Sequence, residues 1–175
     1  FWSDIKDILL RSLNYALENE TLSIEQKRGI LTLIPKKEKN RLFLKNWRPI
    51  TLLNPDYKIL AKALASRLVD VLPFLVEDDQ TGYIAGRYIG CNIRIVEDIV
   101  IHTAQNNIPG ILLSIDFEKA FDSLSWSFIY DCLKRYNCGP IFISYIKTLY
   151  KGINTAVINN GYISDWFHPQ RGVRQ

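Results

Sequence analysis

The stretch that decides the fold is Ile111-Leu112-Leu113-Ser114-Ile115-Asp116-Phe117-Glu118-Lys119-Ala120-Phe121-Asp122, in which a short apolar run ends at an acid. A Pro-Gly pair precedes the run and separates it from the helical pattern before it, so residues 111–116 are predicted to form a buried strand. Strand side chains alternate between two faces, which places Asp116 on the same face as Ser114.

Asp116 is the candidate for chemistry in this stretch. A carboxylate at the end of a buried strand is costly unless it is paired, caps a turn or binds a cation. Carboxylate oxygens suit Mg²⁺, which takes one or two carboxylates together with substrate phosphates. Phosphoryl-transfer sites use more than one acidic ligand, so the residues alone leave a metal ligand and a turn cap both open. For Asp122, which precedes a helical pattern, the cap is the favoured interpretation.

Outward from this stretch, helical and strand patterns follow one another irregularly. Apolar residues at helical spacing predict helices, short apolar runs bounded by Gly or Pro predict strands, and Asn160-Gly161 predicts a hairpin turn. The predicted helices cover roughly residues 5–17, 55–72, 93–104, 126–136 and 141–150, and the predicted strands residues 29–35, 49–53, 111–116, 156–159 and 162–167. This order favours an α+β domain over a doubly wound parallel sheet.

The composition is that of one globular domain: 175 residues, 47% hydrophobic and 23% charged. No apolar stretch approaches the roughly 18 residues of a membrane span, so no membrane partner is expected. The three cysteines form no C-x-x-C pair and the chain has two histidines. Neither a disulfide framework nor a zinc site is predicted, and reduced thiols inside the cell are expected.

The net charge of +4 is concentrated between Pro35 and Arg48, where six basic residues stand against one acid. A local basic patch is typical of a surface that meets phosphate. A solvated hairpin loop with ordinary surface lysines gives the same count, so charge alone leaves both interpretations open.

Several short motifs occur in one order along the chain. They are Ile34-Pro35-Lys36-Lys37, residues 46–54 (NWRPITLLN), Tyr57-Lys58-Ile59 with Ala65-Ser66-Arg67-Leu68, residues 79–87 (DQTGYIAGR), residues 116–122 (DFEKAFD) and Gly172-Val173-Arg174-Gln175. Together they resemble the reverse transcriptase of LINE-type (non-LTR) retrotransposons over essentially the whole chain. Intron-encoded, maturase-like reverse transcriptases share several of these motifs, but the Asn54-x-x-Tyr57-Lys58-Ile59 block resembles the LINE-type pattern more closely.

The resemblance implies a partial right-hand polymerase fold. The N-terminal helix and fingers would cover about residues 1–109, and the early palm about residues 110–175. It also implies that Asp116 is the first metal-binding aspartate of the palm, with the backbone carbonyl of Phe117 as a neighbouring ligand. In the family two Mg²⁺ ions, with Mn²⁺ as an alternative, are held there together with acids of a later hairpin.

Other residues acquire nucleotide and template roles through the same resemblance. Phe121 would pack under the incoming sugar and clash with a 2′-hydroxyl, although by itself it would be interpreted as a core aromatic. Arg48 would contact the triphosphate, Lys36 or Lys37 would supply a second contact, and Gln175 would line the nucleotide and template pocket. The residues implied along the template are Gln80, Gly82, Gly86, Arg87 and Asn92. A tight turn with a surface arginine remains the alternative for Arg87.

The chain has no methionine and stops inside its last motif, so it is expected to be a piece of a longer reading frame. The later acidic hairpin, the rest of the palm and the thumb are absent, and the chain alone is expected to be inactive. The implied partners of the parent are template RNA, a DNA primer or target DNA, and deoxynucleoside triphosphates, in the nucleus and cytoplasm. The alternative is a non-catalytic nucleic-acid-binding module or a relic of a decayed element, which would keep the basic window without needing Asp116 and Phe121.

Overall fold

A computed structural model of the chain describes residues 1–174. The helices are α1 (Trp2–Glu18), α2 (Ile24–Lys27), α3 (Pro55–Val69), α4 (Leu72–Leu75), α5 (Ile89–Gln105), α6 (Ala120–Ser123), α7 (Trp126–Arg135) and α8 (Pro140–Tyr150), with a 3₁₀ turn at Leu44–Asn46. The strands are β1 (Arg28–Pro35), β2 (Trp47–Leu53), β3 (Asn154–Asn159) and β4 (Tyr162–Ile163). No helix in this part of the chain combines the length and the apolar character needed to cross a membrane.

The four strands form one mixed sheet in the order β2-β1-β3-β4. The β1–β2 pair is antiparallel, with Ile34 opposite Arg48, whereas β1 and β3 run parallel, with Arg28 opposite Asn154. The two edge strands thus flank one parallel pair. The prediction of a mixed helix-and-strand fold is confirmed, as are the predicted hairpin at Asn160-Gly161 and the five long helices.

The predicted strand over residues 111–116 is wrong. These residues form no strand hydrogen bonds in the described structure, and the side chains of Ile111, Leu113 and Ile115 are 71–97% exposed. The physical reason is that a strand needs a neighbour for its N–H and C=O groups, and no strand of the described sheet pairs with this segment. Asp116 is also exposed, so its carboxylate pays no burial cost here.

The chain divides into two compact units. One comprises residues 1–64 and 119–174, and the other residues 65–118. The core of the first unit contains residues from α1, α3, α8 and the loop after α1: Leu13, Ala16, Leu22, Tyr57, Leu60, Leu64 and Leu149. In the second unit, α5 has no buried residue.

Tyr57 is the polar member of that core. It is 5% exposed, and its hydroxyl donates to the carbonyl oxygen of Leu149 at 3.1 Å. Burial raises the pKa of Tyr57 to about 12, although the positive charge of Arg174 acts in the opposite direction. The folded protein therefore holds this proton more tightly than the unfolded chain does.

Stability is accordingly expected to fall at alkaline pH. The contribution linked to Tyr57 is complete below its unfolded pKa of about 10 and is lost as the pH rises toward about 12. Between about pH 9 and pH 11 the free energy of unfolding should drop by about 1 kcal/mol more in the wild-type chain than in Tyr57→Phe, as measured by urea unfolding. Equal pH slopes for the two proteins would contradict this assignment.

Candidate active site

Residues 35–48, which carry the cluster of basic charges, form the turn of the β1–β2 hairpin and the adjoining strand ends. Directly opposed residues of an antiparallel pair share a face, so the register places Arg48 beside Ile34. Lys36 follows the end of β1, and its backbone N–H donates to the Asn46 carbonyl at 2.8 Å. Arg48 is exposed, and its side chain makes no hydrogen bond or ion pair within residues 1–174. The hairpin therefore presents a guanidinium to solvent at the end of a strand.

The two lysines of the hairpin differ in their surroundings. The Lys36 ammonium donates to the carbonyl oxygen of Lys45 at 2.9 Å, across the turn. Lys37 is exposed beside it. Trp47 packs within the turn, where its indole N–H donates to the Arg41 carbonyl at 2.9 Å. The Lys36 ammonium is thus bound within the turn, whereas Lys37 is exposed, and the triphosphate contact of either lysine stays a prediction.

Phe121 lies in the short helix α6 and is 44% exposed. Its carbonyl oxygen accepts from the N–H of Val173 at 2.8 Å, and the carbonyl of Leu124 accepts from the N–H of Gly172 at 2.8 Å. The structure thereby brings Phe121 together with the motif that ends the chain. Gln175, the predicted nucleotide-pocket residue of that motif, lies outside the described residues.

The cap predicted for Asp122 is wrong. Asp122 lies within α6, and the N-cap of α7 is Ser125, whose side chain makes no capping bond. Helix α6 begins after Lys119 in the left-handed conformation, so the chain has already turned before it reaches Asp122. Asp122 instead lines a cavity of about 250 Å³ with Thr51, Thr155 and Arg174.

Asp116 and Phe117 belong to the unit formed by residues 65–118 and lie there in an exposed segment outside the helices and strands. Asp116 makes no hydrogen bond or ion pair within residues 1–174. Within the same described range, no group of three or more His, Cys, Asp or Glu residues could hold a metal ion. The oxygens of Asp116 and of the Phe117 carbonyl suit a hard divalent cation, but they are one part of a ligand set.

The predicted template residues gather around one loop of the same unit, between α4 and α5. The Gln80 side chain donates to the carbonyl of Gly82 at 3.1 Å, and the Asn92 side chain donates to the carbonyl of Asp79 at 2.8 Å. Gly86 has φ +79° with open space where a side chain would lie, so its backbone conformation, and not crowding, requires glycine. Contact of these residues with a template stays a prediction.

Arg87 has a structural role that the sequence did not reveal. Its side chain is 14% exposed and donates to four backbone carbonyls, at Pro73, Val76, Glu77 and Gln80, and it also pairs with Asp78 at 3.3 Å. Carbonyls at the end of a helix lack intrahelical donors, and a guanidinium satisfies several of them at once. A phosphate contact would require Arg87 to give up some of these bonds.

Replacing Arg87 by methionine is therefore expected to loosen the loop of residues 73–87 by about 2 kcal/mol, because several carbonyls lose a charged donor. Hydrogen exchange of the loop amides should accelerate by about 30-fold at that cost. Arg94→Met is the matched control, since Arg94 is 69% exposed and bonds Asp98 in a surface ion pair. Similar exchange rates in both variants would contradict the structural role of Arg87.

The sequence profile of the reverse transcriptase (RNA-dependent DNA polymerase) family matches residues 34–175. Because the match covers most of the chain and every residue assigned above, the chain belongs to this family.

Its relatives narrow the class further. The chain is 36% identical over its full length to the transposon TX1 149 kDa protein of Xenopus laevis, of which it covers 13%. It is 29% identical, over 96% of its length, to the Pol polyprotein of the type-2 retrotransposable element R2DM of Drosophila melanogaster, and it covers 16% of that protein. The chain is also 25% identical, over 99% of its length, to a Pol polyprotein of the type-1 retrotransposable element R2 of Nasonia vitripennis, and it covers 17% of that protein. The LINE-type assignment is confirmed, and the chain spans less than a fifth of each of these relatives.

Proposed function

We propose that the protein containing this chain extends a DNA primer on an RNA template, using deoxynucleoside triphosphates and two Mg²⁺ ions. The observation that carries the proposal is the family match over residues 34–175, which includes the basic hairpin, Asp116 and Phe121. In this proposal residues 1–109 form the N-terminal helix and fingers, and residues 110–175 the early palm of a right-hand polymerase. In this proposal the protein acts inside the cell, in the nucleus and cytoplasm.

The basic hairpin supports a triphosphate-binding role. A guanidinium can donate two parallel hydrogen bonds to phosphate oxygens, and the exposed Arg48 has no competing partner in residues 1–174. Lys36, or the exposed Lys37, supplies a second positive charge on the same hairpin. Phosphoryl transfer depends mainly on positioning and on compensating charge, and cations on one hairpin can provide both.

Asp116 and Phe121 carry the other two roles. Asp116, with the carbonyl of Phe117, holds part of the divalent metal site, which supplies charge stabilisation for the attacking and leaving oxygens. Phe121 packs under the sugar of the incoming nucleotide and excludes a 2′-hydroxyl. Gln80, Gly82, Gly86, Arg87 and Asn92 shape the loop along the template.

The experiment is a primer-extension assay with the full-length parent protein, a defined RNA template and an annealed DNA primer. Extension that follows the template sequence and requires a divalent cation supports the proposal. A folded protein that binds the primer–template without extending it would contradict the proposal and leave a nucleic-acid-binding role.

A further inference from the structure

The segment Gly172–Arg174 connects two parts of the first unit, the sheet and the corner formed by α6 and α7. On the corner side, the N–H groups of Gly172 and Val173 donate to the carbonyls of Leu124 and Phe121, each at 2.8 Å. The indole N–H of Trp126 donates to the Gly172 carbonyl at 2.8 Å. Three hydrogen bonds thus hold this segment against the corner that carries Phe121.

Gly172 makes this contact close. It has φ +88°, and a methyl group in place of its hydrogen would lie 2.8 Å from the carbonyl oxygen of Asp122. Both the conformation and the spacing therefore require glycine. The segment and the corner cannot shift apart without losing these bonds, nor move closer.

On the sheet side, Arg174 makes the connection. Its Nη2 group donates to the carbonyls of Lys27 at 2.8 Å and Asn154 at 2.9 Å. Lys27 immediately precedes β1, and Asn154 begins β3 opposite Arg28. The guanidinium also lies 5.6 Å from the centre of the Tyr57 ring, in the core. Arg174 therefore binds the end of the parallel strand pair.

Stability alone does not account for an arginine here. Its Nε and Nη1 atoms are inaccessible to solvent and have no hydrogen-bond partner among the described residues. Such orphan donors are unfavourable, and apolar residues of similar volume frequently replace buried charges without loss of stability. What the guanidinium provides is a bond of fixed geometry between the strand ends and the segment that holds Phe121.

From these contacts we infer that Arg174 is a positioning residue for deoxynucleotide selection, because it fixes the distance between Phe121 and the sheet that carries Arg48. The inference rests on the proposed polymerase function. The cavity of about 250 Å³ between Thr51 and Thr155 of the sheet and Asp122 of the corner is the space whose width this segment sets. A small displacement of a positioned group alters rates strongly.

The test measures kcat/KM for a deoxynucleotide and for the matching ribonucleotide in the full-length protein, on an RNA template with a DNA primer. Arg174→Met is expected to lower the preference for the deoxynucleotide by about tenfold or more, with the larger change in KM. Arg174→Lys, whose ammonium can still donate to carbonyls, should recover part of the preference. The matched control is Arg135→Met, since Arg135 is an exposed arginine at the end of α7 and does not line the cavity.

The ratio of the kcat/KM values for the two nucleotides does not depend on the amount of folded enzyme. Partial unfolding therefore cannot imitate the expected change. If Arg174→Met yields no active protein, Arg174→Lys decides. An unchanged ratio in the active Arg174 variant overturns the inference while leaving the polymerase function in place. If the wild-type protein carries out no RNA-templated synthesis, both the inference about Arg174 and the proposed polymerase function are overturned.

Discussion

The Asp116→Asn variant of the full-length protein is expected to lose RNA-templated DNA synthesis by about a thousand-fold or more, while its affinity for primer–template changes little. Asparagine keeps the size of the side chain but removes the negative charge that a divalent cation requires. Losing several kcal/mol of transition-state stabilisation corresponds to three or more orders of magnitude in rate. Primer extension and a filter-binding assay on the same preparation measure the two quantities.

The exposed position of Asp116 makes this variant informative. Its carboxylate bonds to no other residue within 1–174, so its replacement leaves the packing of the second unit unchanged. Asp70→Asn is the matched control, because Asp70 is an exposed acid of the same unit and lies outside the motifs. Comparable extension rates for the two variants would refute the metal-ligand role of Asp116.

The long helices α1, α3, α7 and α8 were predictable because each one carries its buried face in its own sequence. The stripe of α1 that includes Leu13 and Ala16 marks the side that packs in the core, and no distant residue is needed to recognise it. A strand carries less information. The apolar alternation of residues 111–116 predicts a strand, but a strand forms only where another chain segment supplies hydrogen-bond partners, and the described sheet does not extend to it.

The residues of the candidate site also differ in how far the sequence predicts their surroundings. The basic hairpin was visible as a cluster of charges between a strand and its return, and the register then placed Arg48 beside Ile34. Arg87 and Arg174 appear in the sequence as two more motif cations. Their structural partners are backbone carbonyls, which every residue possesses, so no residue pattern distinguishes these buried guanidinium groups from the exposed one of Arg48.

Replacing Phe121 by alanine is expected to reduce the preference for deoxynucleotides over ribonucleotides by about a hundred-fold in the full-length protein. Removing the ring opens space where a 2′-hydroxyl would otherwise collide, and a site without that collision separates the two sugars poorly. Since the side chain is 44% exposed, its truncation leaves no large core cavity. Single-nucleotide incorporation with both sugars gives the ratio directly.

Phe128→Ala is the matched control, because Phe128 is a 58% exposed aromatic on the neighbouring helix α7. An unchanged sugar preference in Phe121→Ala would refute the role of this ring.

The Phe121→Ala variant is also expected to differ from Arg174→Met in its use of deoxynucleotides. The Phe121 carbonyl still accepts from Val173 when the ring is removed, so the corner stays in place and deoxynucleotide use is maintained while ribonucleotide use rises. Loss of the Arg174 hydrogen bonds to the sheet should instead weaken deoxynucleotide use itself. The corner formed by α6 and α7 can then shift relative to the sheet.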